Sequence, residues 1–305
     1  MFKGASNFAG SIDSVFLYIT VISLVFLIGL TIAMVWFTIK YSRKRHPKAV
    51  QIKDNMKLEV AWTVIPLIIV LSMFYYGYTV FLPMRDMPDD AMLVKATGRM
   101  WDWTFEYPNG KKDRVLVLPV DKPVKFDLTS ADVIHSFYIP AFRVKEDMVP
   151  GKITNMWFIP TIKDTFDVFC AEYCGQRHSF MITHAIIVSP EDFEQWLAQT
   201  DADSDDHPGL IIMRNNACLS CHSLDGSKLV GPSFKGLYNS PKKLIIDGKE
   251  TQLVANDEYI TRAIYDPDAE LVKGYGPKLM RSYKDVISAD DMVQILDYFK
   301  NHAPR

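Results

Sequence analysis

Cysteine is scarce in this chain, with four in 305 residues, and the four fall as two close pairs, Cys170 with Cys174 and Cys218 with Cys221. A scaffold stapled by many disulfides is therefore excluded. Histidine is nearly as sparse, at seven, so the ligands for metal centres are few. Charge of one sign is lacking too. The net charge is −2, and Lys+Arg against Asp+Glu run 8 to 3 over residues 1–83, 13 to 17 over 84–200 and 13 to 12 over 209–305. No segment is basic enough to follow a phosphate backbone, which argues against nucleic acid as a partner.

What is present begins with two apolar runs. Val15–Ile39 and Val60–Pro83 contain no charged residue, and each is long enough to cross a bilayer as a helix. Pro66 is tolerable in such a helix. The first run is too long for the core of a cleaved signal peptide and its basic residues follow it, so it is expected to be retained. Between the runs lie Lys40, Arg43, Lys44, Arg45, Lys48, Lys53 and Lys57 against Asp54 and Glu59. The positive-inside rule places that loop in the cytoplasm and both termini, with everything after Pro83, on the outer face of a bacterial inner membrane. Thiols there survive as disulfides, metal ligands or thioether links.

The chain divides into a two-helix hairpin over 1–90, a second unit over 91–200, an acidic linker over 201–208 (D-A-D-S-D-D-H-P) and a third unit over 209–305. In the second unit Met92–Ala96, Trp101–Tyr107, Arg114–Val117, Val124–Thr129, Ile153–Ile159 and Thr165–Phe169 read as strands separated by Pro, Gly and Asp. A Greek-key barrel or sandwich fits that rhythm. In W-D-W-T-F-E-Y, residues Trp101, Trp103, Phe105 and Tyr107 share one strand face, which by default is a core face.

Residues 170–181, C-A-E-Y-C-G-Q-R-H-S-F-M, bring two thiols, an imidazole and a thioether into one loop. These are donors that copper takes readily. Two cysteines four apart can bridge a pair of metal ions, with His178 and Met181 from the same loop and His135 from upstream. Two other readings stay open on spacing alone. One is a Cys170–Cys174 disulfide; the other is a structural zinc held by Cys170, Cys174 and His178 with His135 or His184.

The third unit contains N-N-A-C-L-S-C-H, in which Cys218, Cys221 and His222 form C-x-x-C-H, the signature of covalent haem c attachment with the histidine as proximal ligand. The two methionines downstream are Met280 and Met292. Met292 lies in an amphipathic helix with an S-x-x-D start and belongs to its packing. Met280 lies in a loop and is the expected sixth ligand, a pairing that raises a haem's potential. Haem claims one pair of cysteines, which weakens the disulfide reading of the other.

Taken together, two membrane helices, His135 in H-S-F-Y-I-P and the C-x-E-x-C-x-x-x-H-x-x-M loop resemble subunit II of cytochrome c oxidase over roughly residues 10–200. The resemblance implies a cupredoxin-like barrel holding the dinuclear CuA centre. Cys170 and Cys174 would bridge the coppers, His135 and His178 would be the terminal ligands, and Met181 and the Glu172 carbonyl would complete the set. It further implies that the Glu172 carboxylate meets a magnesium or manganese ion shared with subunit I. Trp101 would be the ring at which electrons enter, and Glu59 a carboxylate at the mouth of a proton path. The segment V-G-P-S-F-K-G-L-Y resembles small all-α class I cytochromes c, with Pro232 orienting His222, although Met280 is followed by Arg281 where that family often has proline. The function so implied is the electron-transfer subunit of an oxygen-reducing, proton-translocating haem–copper oxidase. Its partners would be subunit I, other oxidase subunits, the lipid bilayer, and a cytochrome c or quinol-oxidising complex as donor. The alternative is the CuA-containing subunit of a nitric oxide reductase; nitrous oxide reduction is disfavoured by the seven histidines.

Overall fold

The computed structural model describes residues 4–48, 50–51, 53–199 and 206–304. Helix α1 (Ala9–Lys40) and helix α2 (Met56–Arg85) extend the two apolar runs at both ends. At 1.5 Å per residue, α1 is roughly 48 Å long, more than the hydrocarbon core of a bilayer requires. Their apolar side chains face outward along most of the length, as at Phe26, Leu27 and Ile68, the arrangement of helices solvated by lipid. Tyr18 Oη and Ser72 Oγ, 2.6 Å apart, join the two.

The surplus length sits against the next unit. Asp13 of α1 takes a bidentate pair of hydrogen bonds from Arg143 at 2.7 and 3.1 Å. Arg85 at the end of α2 pairs with Glu146 at 2.8 Å, and the Trp157 indole donates to the Pro83 carbonyl at 3.1 Å. Just ahead of α1, Ser6 donates to the Phe142 carbonyl and Phe8 packs edge-on against Trp157.

That unit is a sandwich of ten strands: β1 (Met92–Arg99), β2 (Asp102–Glu106), β3 (Lys112–Asp113), β4 (Leu116–Pro119), β5 (Val124–Ser130), β6 (His135–Ile139), β7 (Val144–Met148), β8 (Thr154–Phe158), β9 (Thr165–Cys170) and β10 (Ile182–Val188). One sheet runs β3-β2-β1-β5-β8 and the other β4-β10-β9-β6-β7, with parallel pairs β1/β5 and β4/β10. The cupredoxin-like expectation is met. In V-K-F-D-L the apolar residues alternate inward, and Phe126 packs on Phe137 and Phe158 with centroids 5.6 and 5.2 Å apart. Trp103, Phe105 and Tyr107 are all core, as the shared face suggests. The expected strand at Arg114–Val117 lies two residues further on, because Arg114 and Val115 turn through Asp113, whose Oδ1 caps the Val115 N–H. Strands β3, β7 and β10 and helix α3 (Pro190–Ala198), capped by Ser189, were not among the expected elements.

Of the expected acidic linker, residues 201–205 lie outside the described residues. His207 and Pro208 open helix α4 (Pro208–Asn215) and so belong to the third unit. This unit continues with α5 (Cys218–Cys221), β11 (Pro241–Ile246), β12 (Lys249–Val254), α6 (Asp257–Tyr265), β13 (Leu271–Val272) and α7 (Ala289–Asp297). It is not all-α as expected: β12-β11-β13 form an antiparallel sheet. The cause is the Asp247-Gly248 turn, where both residues have positive φ (48° and 76°) and fold K-L-I-I back on T-Q-L-V as a hairpin. Met292 is buried in the core of α7, behind a Ser288–Asp291 capping box.

Candidate metal centres

The loop 171–181 connects neighbouring antiparallel strands. Its neck is closed by Cys170 N–H donating to the Met181 carbonyl at 3.2 Å, and Ala171 N–H donates to Ser136 of β6 at 3.0 Å. The first residue of β6 is His135, so the histidine 35 positions upstream stands beside the loop's first thiol. Cys170 Sγ lies 3.7 Å from Cys174 Sγ, 3.8 Å from His135 Nδ1 and 3.1 Å from the Glu172 carbonyl oxygen. Cys174 Sγ lies 3.5 Å from His178 Nδ1 and 3.8 Å from Met181 Sδ. All six sequence-derived donors therefore converge. His135 and Met181 are fully buried, and both thiols nearly so. His184 does not join them: it stands exposed on β10 with Asp167 at 3.2 Å.

This donor set distinguishes the readings left open above. Both cysteines are free thiols. A thioether among two thiols and two imidazoles is softer than a structural zinc site, and it suits copper. The second layer agrees. His135 Nε2–H donates to Asp132 Oδ1 at 2.8 Å, which leaves Nδ1 bare toward Cys170, the usual way a carboxylate fixes a metal-binding tautomer. Burial raises Asp132, but hydrogen bonds from His135 and from the Met100 and Val133 amides outweigh it and hold the carboxyl low. Burial lowers His135, yet the bonds to Asp132 and Cys170 carry it upward. The hydrogen bond from Cys174 brings the Cys170 thiol down to about 3, whereas that same bond, with burial, pushes Cys174 up. One thiolate thus forms readily, and the second calls for added positive charge at the loop.

Two indoles lean on the loop's backbone. Trp101 Nε1–H donates to the Cys174 carbonyl at 3.0 Å and Trp103 Nε1–H to the Met181 carbonyl at 3.4 Å. Trp101 is buried, not open to solvent. Glu172 is exposed. Glu59 sits in the first turn of α2, after the Asn55 cap, where a carboxylate suits the helix dipole. Lys57 is two positions away, a spacing at which helix side chains do not meet, and no Glu59 ion pair is found among the described residues.

The second cysteine pair lines a cavity of about 510 Å³ together with His222 and Met280. His222 Nδ1–H donates to the Pro232 carbonyl at 2.7 Å, which leaves Nε2 for a ligand, and the ring stacks on Phe234 at 4.4 Å. Burial, partly offset by that bond, lowers the His222 pKa and keeps the ring neutral. At Gly231 a Cβ would stand 2.5 Å from His222 Cε1, so only glycine fits. Burial also pushes the Cys218 thiol up to about 12. A mostly apolar hollow with two cysteines, one bare imidazole nitrogen and a thioether fits a haem attached through thioethers.

The third unit docks on the copper-loop side of the sandwich. Arg114 donates to Ser220 Oγ at 3.1 Å, and Arg177 to the Ser220 carbonyl. Arg114 is paired with Asp102 at 2.7 Å; burial raises the Asp102 pKa and the guanidinium moderates the rise. Asp132, Trp103 and these arginines were missed from sequence. For Asp132 alone there was a local signal, a carboxylate three residues before His135.

Comparison with known proteins agrees with this architecture. The family model described as the cytochrome c oxidase subunit II transmembrane domain matches residues 1–80, and that of the periplasmic domain matches residues 109–189. The cytochrome c oxidase subunit 2 of Alkalihalophilus pseudofirmus is 29% identical, covering 95% of this chain and 86% of the relative. The alternative cytochrome c oxidase subunit 2 of Bradyrhizobium diazoefficiens is 33% identical over 54% of this chain and 72% of the relative. A crystal structure of the periplasmic domain of subunit II of cytochrome oxidase from Bradyrhizobium japonicum is 35% identical, covers 37% of this chain and 94% of that one, and superposes with a TM-score of 0.35. A two-span membrane hairpin carrying a cupredoxin-like domain, with these matches, makes the chain a member of the cytochrome c oxidase subunit II family, a membrane-bound electron-transport subunit of a haem–copper oxidase that associates with other oxidase subunits.

Proposed function

We propose that this subunit receives electrons at a haem c held by Cys218 and Cys221, with His222 and Met280 as axial ligands, and delivers them through a dinuclear copper centre to subunit I for the reduction of oxygen to water. Cys170, Cys174, His135, His178, Met181 and the Glu172 carbonyl would hold the copper pair. The observation that carries the reading is the convergence of those six donors at one loop, together with a second, separate set of donors around the 510 Å³ cavity. Bound in these places, the copper pair and the haem supply one-electron transfer.

The chain's own residues do the rest. Asp132 and Pro232 each hold a histidine in the tautomer whose free nitrogen faces the centre. Burial of both sites excludes water, so little solvent must reorganise as charge passes. Trp101, bonded to the Cys174 carbonyl, is the ring through which electrons enter the copper loop. The exposed Glu172 carboxylate takes a magnesium or manganese ion at the boundary with subunit I, and Glu59 stands at the inner end of α2 as a proton-path carboxylate. Both helix ends tied to the sandwich lie opposite the basic connection, which supports placing the sandwich and third unit in the periplasm. Attachment on one chain raises the effective concentration of donor at acceptor.

A visible and near-infrared spectrum of the purified complex, with metal and haem quantification, tests this. Two coppers and one covalent haem per chain with a mixed-valence near-infrared band are expected. Zinc in place of copper, or no covalent haem, overturns the corresponding half. Parallel oxygen- and nitric oxide-consumption assays separate the oxidase from a nitric oxide reductase.

A further inference from the structure

Arg99 and Arg281 have an unusual setting. Arg99 comes from the end of β1 in the sandwich and Arg281 follows Met280 in the third unit, yet both line the same cavity as Cys218, His222 and Met280. Both guanidiniums flank one ring, that of Tyr283, at 5.5 and 5.0 Å from its centroid. Tyr283 is itself buried and pinned by its hydroxyl to the Asn216 carbonyl at 3.1 Å. Two like charges thus sit against a single aromatic side chain.

Neither has a carboxylate partner among the described residues. The Nε of each is buried without a hydrogen bond, and the one hydrogen bond from Arg99 is a long 3.4 Å contact to the Asn216 carbonyl. Asp132 lies at the same rim, but its oxygens are taken: Oδ2 by the Met100 amide, Oδ1 by the Val133 amide and His135. Of the other carboxylates lining the cavity, Glu270 pairs with Arg262, Asp268 accepts from the Lys278 amide and Asp266 makes no ion pair with either arginine; Asp102, nearby, pairs with Arg114. Two partly buried cations with donors to spare, at one end of an otherwise apolar hollow, require an anion of matching charge.

We propose that Arg99 and Arg281 together seat the propionate carboxylates of the haem, so that the copper-bearing sandwich itself supplies one of the two cations that hold the prosthetic group. The proposal rests on the reading of the third unit as a haem domain. Guanidinium forks match carboxylates bidentately, and the propionates are the anionic groups such a haem carries. Arg99 stands two residues before Trp101, so the cation that fixes the haem edge lies on the same backbone as the indole bonded to the copper loop. Loading the cavity would therefore strengthen docking of the third unit on the sandwich.

The test uses the full chain in the purified complex, with haem labelled with ¹³C at the propionate carboxyls. In redox-difference infrared spectra, the labelled carboxylate bands are expected to shift in both Arg99→Gln and Arg281→Gln. The haem potential is expected to fall in each, because losing a cation beside the propionates favours the ferric state. Arg99→Lys, which keeps the charge, is expected to restore most of the potential. Normal covalent haem with unchanged bands and potential in both glutamine variants overturns the proposal. Bands that answer to Arg281→Gln alone overturn its cross-domain half. A potential that falls while the labelled bands stay fixed identifies a solvent anion as the occupant and overturns it as well. Absence of covalent haem in the unaltered protein is a different result, and removes the haem reading itself.

Discussion

The 171–181 loop and the cavity of the third unit, the two places proposed to hold a redox centre, are built in opposite ways. The loop hangs between two strands of a sandwich whose core is packed with Trp103, Phe105, Phe126, Phe137 and Phe158, and its donors already lie 3.1–3.8 Å from one another. The third unit is built from short helices and a hairpin around a hollow, with its donors spread over the wall. Small ions need only donors brought together by a rigid frame. A haem must supply part of the core in which it sits, because an apolar wall without packing partners forfeits dispersion contacts.

If the two sites are as independent as this contrast implies, each can be destroyed alone. The largest effect is expected from Cys218→Ala with Cys221→Ala: complete loss of covalent haem, read by haem staining after denaturing electrophoresis, with the near-infrared copper band retained. Loss of that band as well would break the comparison. Next, Cys174→Ser is expected to abolish the near-infrared band and most of the bound copper while haem staining is unchanged. Phe137→Ala, at the centre of the sandwich, is expected to cost about 3–5 kcal/mol in a denaturant titration followed by tryptophan fluorescence. Asp132→Asn should keep the fold but weaken copper binding by about 10–100-fold in a chelator competition, since His135 loses the carboxylate that sets its tautomer. The smallest effect is expected from Ser220→Ala, which removes the acceptor for Arg114 at the boundary between the units. About 1 kcal/mol of docking should go, seen as somewhat faster proteolytic separation of the two units.

The copper donors were legible in sequence because five of the six groups lie within twelve residues, where spacing reports geometry directly. His135 could be offered from sequence only as an upstream histidine, and the resemblance gave it its place, since strand pairing and not spacing brings β6 to the loop. The hairpin at 241–254 has a local signal in Asp247-Gly248 after Ile245-Ile246, but its second strand opens on Lys249 and Glu250 and does not read as a strand by itself. Strand β7 reads V-K-E-D-M and β10 I-T-H-A-I-I-V, neither a strict alternation of apolar and polar residues, so alternation alone does not announce them. Arg99 and Arg281 could not be found at all from the chain, because an arginine's lack of a partner is a property of its surroundings.

The double tie between hairpin and sandwich has a consequence of its own. Asp13 with Arg143 and Arg85 with Glu146 brace the sandwich on two separate struts, so it is mounted as a shelf on a bracket and does not sway from a stalk. The bilayer then serves as a datum plane, and the height of the copper loop above it is set by the machining of those joints. Tunnelling falls off steeply with distance, so the gap from this loop to any acceptor embedded in the same membrane becomes a fixed dimension of the assembly.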